Sequence, residues 1–307
     1  MERIYDMLIL GGGPGGYTAA LYAARAGLKT LVLEKLCAGG QMTLTDQIDN
    51  YPGFPEGIDG FTLGERMQSS AEQAGAETIL AEVYSVSLQE SPKLVHTSEG
   101  TFLGRTVVIA TGAGPRPLGL PGEDRFTGRG LHYCAACDGM LYRDKTVVVV
   151  GGGNSAVGDA LQLSRLAKQV ILVHRRDKLR ATRSYHGALE AAPNISFRYE
   201  STVSALLGED HLQAVELRNV RTGETTRLPI DGVFVSIGRV PATGFLGGQV
   251  PLDQGGYIQA TETTETAIPG VYAVGDVRTK DLRQILTAAA DGAAAVHRAE
   301  EYLAEQN

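Results

Sequence analysis

Ile4-Tyr5-Asp6-Met7-Leu8-Ile9-Leu10-Gly11-Gly12-Gly13-Pro14-Gly15-Gly16 reads as a buried strand running into a glycine turn. Thr146-Val147-Val148-Val149-Val150-Gly151-Gly152-Gly153-Asn154-Ser155-Ala156 repeats the pattern later in the chain. After the first turn come an Ala-rich helix, Tyr17–Ala26, and a strand, Thr30–Glu34. After the second come a helix to about Leu166 and a strand, Gln169–His174. Each copy is strand, glycine turn, helix, strand, the βαβ unit that binds dinucleotides. The first glycine (Gly11, Gly151) permits the tight turn, and the second (Gly13, Gly153) lets the backbone approach a pyrophosphate. The third position (Gly16, Ala156) lets helix and strand pack closely. The helix starts, at Pro14 and at Asn154-Ser155, present free N–H groups and a positive dipole end to phosphates. One such turn is a weak signal; two in the same context on one chain are a strong one.

Strand-rich stretches follow each copy. Val83–Leu88, Leu94–Thr97 and Thr106–Ala110 end in Ala110-Thr111-Gly112; Ser201–Leu207, Leu212–Asn219 and Gly232–Ile237 end at Gly238. Proline-containing crossings at Gly114–Pro117 and Arg239–Pro241 read as hinge strands. The expected fold is α/β, with two Rossmann-like dinucleotide-binding domains of three layers (ββα), the second inserted into the first. Residues 1–114 and 241–307 would form one discontinuous domain and 115–240 the other.

The end of each second strand meets the adenosine ribose. Glu34 follows Gly16 by the same offset at which His174 follows Ala156. An acid there accepts hydrogen bonds from ribose hydroxyls and repels a 2′-phosphate. In the second copy base replaces acid: His174, Arg175 and Arg176, with Arg180 further on, suit a 2′-phosphate. The first domain is therefore expected to hold FAD and the inserted one NADPH.

Composition agrees with a globular protein of two domains: 307 residues, 43% hydrophobic and 21% charged. A formal net charge of −7 speaks against a nucleic-acid binder. No apolar run reaches the length of a membrane span, and no targeting segment is read. Three cysteines are too few for a secreted disulfide scaffold. A cytoplasmic protein is expected, in which a lone C-x-x-C is catalytic or metal-binding.

That motif is Cys134-Ala135-Ala136-Cys137-Asp138-Gly139, between the two fingerprints. Its spacing at a helix start suits a reversible disulfide or half a metal site. Zinc would need further thiols or imidazoles; Cys37 is remote in sequence and no second C-x-x-C exists, so no metal is expected. A helix N-terminus would stabilise the attacking thiolate. Asp138 reads either as an Asp-Gly turn or cap, or as a proton donor to a departing thiolate. Cys37 reads as a small buried apolar residue, and His132 as a surface or turn histidine.

Taken together these residues resemble the low-molecular-weight thioredoxin reductases over essentially the whole chain. The motifs are Gly11–Gly16, Gly39-Gly40-Gln41, Asp49–Gly53, Ala110-Thr111-Gly112, Cys134–Gly139, Gly151–Ala156, His174–Arg180, Gly275-Asp276 and Arg283-Gln284. The resemblance implies a homodimer with FAD in each subunit. It implies flavin contacts from Gly40, Gln41, Asn50, Thr111, Gly112, Gly275, Asp276, Arg283 and Gln284. It also implies a relay from NADPH through FAD to the Cys134–Cys137 disulfide and on to thioredoxin or a thioredoxin-like protein, with the inserted domain rotating about its hinge strands. Arg129 matches a position for docking thioredoxin. Four departures stand out: Gly158-Asp159 for two glutamates, Met140-Leu141 for two phenylalanines, Arg239 for a frequent histidine, and Ala242 for asparagine. Competing expectations are a reductase of another small redoxin or a peroxiredoxin-type partner, a dithiol oxidase, and a flavin-containing redox sensor.

Overall fold

The computed structural model describes residues 3–45, 48 and 50–306, without the side chains of Leu44, Ala136, Cys137 and His186. Asp49, quoted above, lies outside the described residues. The chain divides into two compact units, one of residues 1–114 with 240–307 and the other of Pro115–Arg239. The second crossing falls one residue earlier than expected, with Val240 in the first unit.

In chain order the first unit contains β1 (Ile4–Leu10), α1 (Pro14–Arg25), β2 (Thr30–Glu34), α2 (Gly60–Gln73) and β3 (Glu77–Leu80). It continues with β4 (Val83–Ser87), β5 (Lys93–Thr97), β6 (Gly100–Ile109) and the crossing strand β7 (Ala113–Pro115). The inserted unit begins with α3 (Glu123–Phe126), β8 (Leu131–His132), α4 (Ala135–Asp138), β9 (Thr146–Val150), α5 (Asn154–Ser164) and β10 (Gln169–Val173). It goes on through α6 (His186–Ala191), β11 (Ile195–Arg198), β12 (Ser201–Gly208), β13 (Leu212–Asn219), β14 (Thr225–Pro229) and β15 (Gly232–Val235). The return crossing β16 (Arg239–Pro241), then β17 (Val271–Ala273) and α7 (Ile285–Glu305) complete the chain.

In the first unit the sheet order is β3-β2-β1-β6-β5-β4, with β17 also paired to β6. β6 is longer than the expected Thr106–Ala110 because it serves two partners on one side. Gly100–Gly104 pairs antiparallel with β5, whereas Val107–Ile109 lies parallel to β17. Side chains alternate along β1. Met7 and Ile9 pack with Tyr17, Ala19, Ala20 and Ala23 of α1, and with Ala295, Val296 and Ala299 of α7. Leu8 and Leu10 face Val86, Val95 and Leu246 on the opposite side. Burial on both faces explains why β1 reads as a continuous apolar run.

The inserted unit repeats this plan with a parallel sheet of order β11-β10-β9-β15-β8 and a separate antiparallel sheet β12-β13-β14. Val147 and Val149 pack on Ala156, Val157, Ala160 and Leu163 of α5. Val148 and Val150 pack on Val203, Leu206, Val215 and Leu217 of the antiparallel sheet. Two α/β units, each with a parallel sheet between helices and a β layer, are the fold class expected from the repeat.

Candidate functional site

Both glycine turns reach the same geometry. The N-cap residues Gly13 and Gly153 are extended, at φ −78°, ψ −176° and φ −93°, ψ −177°, and neither helix start carries a side-chain cap or a first-turn acid. The first N–H groups of α1 and α5 are thus left without a side-chain acceptor. A Cβ added at Gly13 or Gly153 would meet nothing within 4 Å. Open space in front of unanswered N–H groups suits a pyrophosphate, so the residues present fit a dinucleotide in each unit.

Inside each turn the space is closed. Gly11 has φ +104°, and a Cβ there would lie 2.6 Å from the Ala110 carbonyl oxygen; at Gly151 (φ +152°) the clash is with the Ser236 carbonyl oxygen at 2.3 Å. A Cβ added at Gly16 would lie 1.9 Å from the Gly11 carbonyl oxygen, while Ala156 is fully buried at the matching place. Helix α7 is drawn against α1 at Gly15 and Gly292, where backbones approach too closely for side chains. Packing thereby brings the start of α7 to the first fingerprint.

The ends of the second strands close both turns from outside. Glu34 is buried, and its carboxylate accepts hydrogen bonds from the N–H groups of Gly12 (2.5 Å) and Leu36 (2.9 Å). His174 occupies the equivalent place against Gly152, whose added Cβ would fall 2.3 Å from the imidazole. The sequence reading put His174 with the arginines facing a 2′-phosphate, but its side chain is buried. Its Nε2 is buried without a hydrogen-bond partner among the described residues. Burial, and then the charge of Arg180, hold its pKa below the usual imidazole value, so the neutral ring is favoured. Arg175, Arg176 and Arg180 remain exposed, and none is in an ion pair among the described residues. The N–H groups of Arg180 and Ala181 donate to the Gly152 carbonyl at 2.6 and 3.1 Å, which folds the basic segment back over the turn. Asn154 Oδ1 accepts from the Thr182 N–H at 2.9 Å and pins the same segment, while Ser155 is exposed.

Asp159, one of the four departures, is turned inward. Ser236 Oγ donates to its carboxylate, burial raises its pKa, and the charge of Arg239 opposes that rise. Gly158 beside it leaves open space.

Among the motifs that the resemblance assigns to the flavin, Gln41 Nε2 donates to the Ala113 carbonyl and Thr111 Oγ1 to that of Ala242. Gly40 and Gly112 both have positive φ. Asn50 Nδ2 donates to Gln284 Oε1 at 2.9 Å, joining residues far apart in sequence. Gln284 is the N-cap of α7 in a reciprocal capping box with Thr287. Arg283 lies over the Tyr257 ring at 4.1 Å and donates to the carbonyls of Asp276 and Arg278. A buried network the sequence did not reveal supports this corner. Asp291 accepts from the Gly275 N–H (2.9 Å), Arg278 Nε (3.2 Å) and Lys280 Nζ (2.7 Å). An acid on a helix is no signal of such a network until the partner loop is placed.

In the inserted unit Cys134 is disulfide-bonded, and its carbonyl accepts from the Asp138 N–H at 3.2 Å, so it stands at the start of α4. That helix is only four residues long and passes into a tighter turn, Gly139–Tyr142, so its dipole is weaker than expected from a helix start. The Cys137 side chain lies outside the described residues. Met140 and Leu141 are 59% and 62% exposed. Two readings are corrected. Cys37 is exposed rather than buried, because the chain leaves the sheet at Lys35. His132 is buried rather than superficial, because β8 pairs with β15 and places it under Phe234. It is in contact with Asp138 and Tyr142.

A family model described as pyridine nucleotide-disulphide oxidoreductase matches residues 5–292. The thioredoxin reductase of Treponema pallidum is 43% identical over 303 residues, covering 99% of this chain and 98% of its own. That of Streptomyces clavuligerus is 45% identical over 307 residues, covering 99% and 95%. The crystal structure of Lactococcus lactis thioredoxin reductase in its FR conformation matches with a TM-score of 0.84 and 41% identity, over 98% of this chain and 99% of that one. Matched nearly end to end by that family model and by relatives of near-equal length, the chain belongs to the pyridine nucleotide-disulphide oxidoreductase family, as a member of its low-molecular-weight thioredoxin reductases.

Proposed function

We propose that this protein reduces the disulfide of thioredoxin with electrons from NADPH, by way of bound FAD and a Cys134–Cys137 dithiol/disulfide couple. The observation that carries the reading is the pairing of two uncapped fingerprints of equal geometry with opposite chemistry behind them, Glu34 in one and exposed arginines in the other. When bound, the two nucleotides would supply hydride transfer from nicotinamide to flavin and two-electron reduction of a disulfide by the reduced flavin.

The chain's own residues bind and orient. The N–H groups at the starts of α1 and α5 hold the pyrophosphates, and Glu34 keeps acceptor capacity toward ribose hydroxyls beyond its two backbone donors. Arg175, Arg176 and Arg180 select the 2′-phosphate. Asn50 and Gln284, already bonded to each other, with Asp276 and Arg283, shape the flavin end. Asp138 gives a proton to the sulfur that leaves during thiol exchange. Met140 and Leu141 offer an exposed apolar patch next to the C-x-x-C segment for docking the redoxin. A homodimer in the cytoplasm is part of the same reading, the latter because a redox-active C-x-x-C without structural disulfides suits a reducing compartment. No helix is long and apolar enough to cross a membrane among the described residues.

The test is an anaerobic titration of the flavin-loaded protein with NADPH, followed by oxidised thioredoxin. Bleaching of the flavin band and its return on adding thioredoxin are expected. No bleaching rejects the reading; bleaching that thioredoxin does not reverse rejects the partner alone.

A further inference from the structure

The imidazole of His132 is held at both nitrogens. Nδ1 lies 2.9 Å from Asp138 Oδ2, and Nε2 lies 2.7 Å from the Tyr142 hydroxyl. The ring stacks on Phe234 (centroids 5.3 Å apart, planes at 26°) and meets Tyr142 edge-on at 5.2 Å. Only 4% of its side chain is exposed, against 35% for Asp138. A buried polar side chain thus reaches from the interior to the carboxylate that follows the C-x-x-C segment.

The hydrogen-bond inventory permits two charge states without moving a heavy atom. Neutral His132 donates from Nδ1 to Asp138 and accepts at Nε2 from the Tyr142 hydroxyl. As imidazolium it donates from both nitrogens, and the Tyr142 oxygen becomes the acceptor. Tyr142 itself does not ionise in the working range, since burial, and then the charges of Asp138 and Asp231, push its pKa up to about 12. The groups facing the ring among the described residues are Asp138 from α4 and Tyr142 from the turn after it. Lys145, 5.4 Å over the Tyr142 ring, and Asp231 act through Tyr142, while β15 contributes Phe234.

We propose that His132 is a positioning residue for thiol–disulfide exchange: it orients Asp138 and holds the proton that Asp138 passes to the departing sulfur. The inference rests on the reductase reading above. With a polar partner at each nitrogen, the imidazole can take up or release a proton without moving a heavy atom, which fits it to hold the proton that Asp138 passes on. The step balances as follows. A thiolate of the reduced couple attacks the partner disulfide; one S–S bond breaks and a mixed S–S bond forms. The pair starts with one proton, on His132; the partner's leaving thiolate takes it by way of Asp138, which leaves His132 neutral and Asp138 ionised. The remaining enzyme thiol then gives its proton to this pair and, as thiolate, breaks the mixed disulfide. That proton goes to the second leaving sulfur, and the enzyme is left oxidised with His132 neutral.

The experiment uses the full-length, flavin-loaded protein with NADPH and thioredoxin, comparing His132→Ala, His132→Asn, Asp138→Asn and the His132→Ala/Asp138→Asn double variant. His132→Ala is expected to lower thioredoxin turnover about ten- to hundredfold, with NADPH still bleaching the flavin. In the Asp138→Asn background the same change is expected to cost nothing further. His132→Asn, whose amide can still donate to Asp138 but cannot hold a transferable proton, is expected to recover much of the rate while changing the pH dependence of turnover. Unchanged turnover and pH profile in His132→Ala overturn the proposal, as does an additive double variant. If His132→Ala fails to fold, His132→Asn decides: a pH profile like the parent's overturns it. If the parent protein is not bleached by NADPH, the reductase reading itself has failed.

Discussion

The Glu34 carboxylate accepts a hydrogen bond from the Gly12 N–H at 2.5 Å, tying the end of β2 to the first glycine turn. A charge-assisted bond of this kind is worth about 1.5–3 kcal/mol, more than a neutral one. Glu34→Ala should leave the turn N–H without its partner and remove the ribose acceptor together. FAD retention should weaken about ten- to hundredfold, read as the flavin-to-protein absorbance ratio after gel filtration. Undiminished flavin content would remove Glu34 from the site.

The exposed arginines after His174 should decide between NADPH and NADH. Each guanidinium that meets a 2′-phosphate contributes a charge-assisted pair, again about 1.5–3 kcal/mol. Arg175→Ala, Arg176→Ala and Arg180→Ala should each raise KM for NADPH about tenfold or more and leave KM for NADH nearly unchanged. Steady-state kinetics with both nucleotides check this; equal losses with the two would argue for a general surface effect.

Two neighbouring glycines should behave oppositely. Gly153→Ala meets open space, so the thermal midpoint should hold while NADPH binding weakens, because the added methyl stands where a phosphate would approach. Gly151→Ala puts a β-carbon 2.3 Å from the Ser236 carbonyl oxygen at φ +152° and should destabilise the inserted unit. Circular dichroism melts and nucleotide titrations separate the two effects. A Gly153→Ala protein with parental NADPH affinity would count against phosphate placement there.

Asp159 should make stability fall with rising pH. Burial raises its pKa in the folded protein, with Ser236 and Arg239 opposing, so the folded state keeps a proton that the unfolded chain has lost. Its contribution is therefore full below the ordinary carboxylate value near 4 and is lost as pH rises through the raised value. Asp159→Asn keeps an acceptor for Ser236 and cannot ionise. It should match the parent's thermal midpoint at pH 4 and exceed it progressively toward pH 8. A difference independent of pH would show that the carboxyl is not the cause.

Much of this molecule is local and was therefore legible. β1 and β9 read as continuous apolar runs because both faces are covered, and the turns read as turns because Gly11 and Gly151 need backbone freedom there. Matched offsets from the two turns to Glu34 and His174 reflect helices that differ by one residue and strands of equal length, so sequence spacing carried spatial meaning. Short edge elements such as β8 were missed, since two residues contain no periodicity.

By itself, the sequence determined the repeated βαβ unit, the order of its parts and the chemistry at the end of each second strand. Those depend on residue type and spacing alone. Tertiary structure alone decided that His174 is buried while its arginine neighbours are not, that Asp291 gathers Gly275, Arg278 and Lys280, and that His132 lies between Tyr142 and Asp138. In each case the reason is the same. Burial and partnership of a polar side chain depend on which distant segment packs over it, and no local pattern encodes that segment.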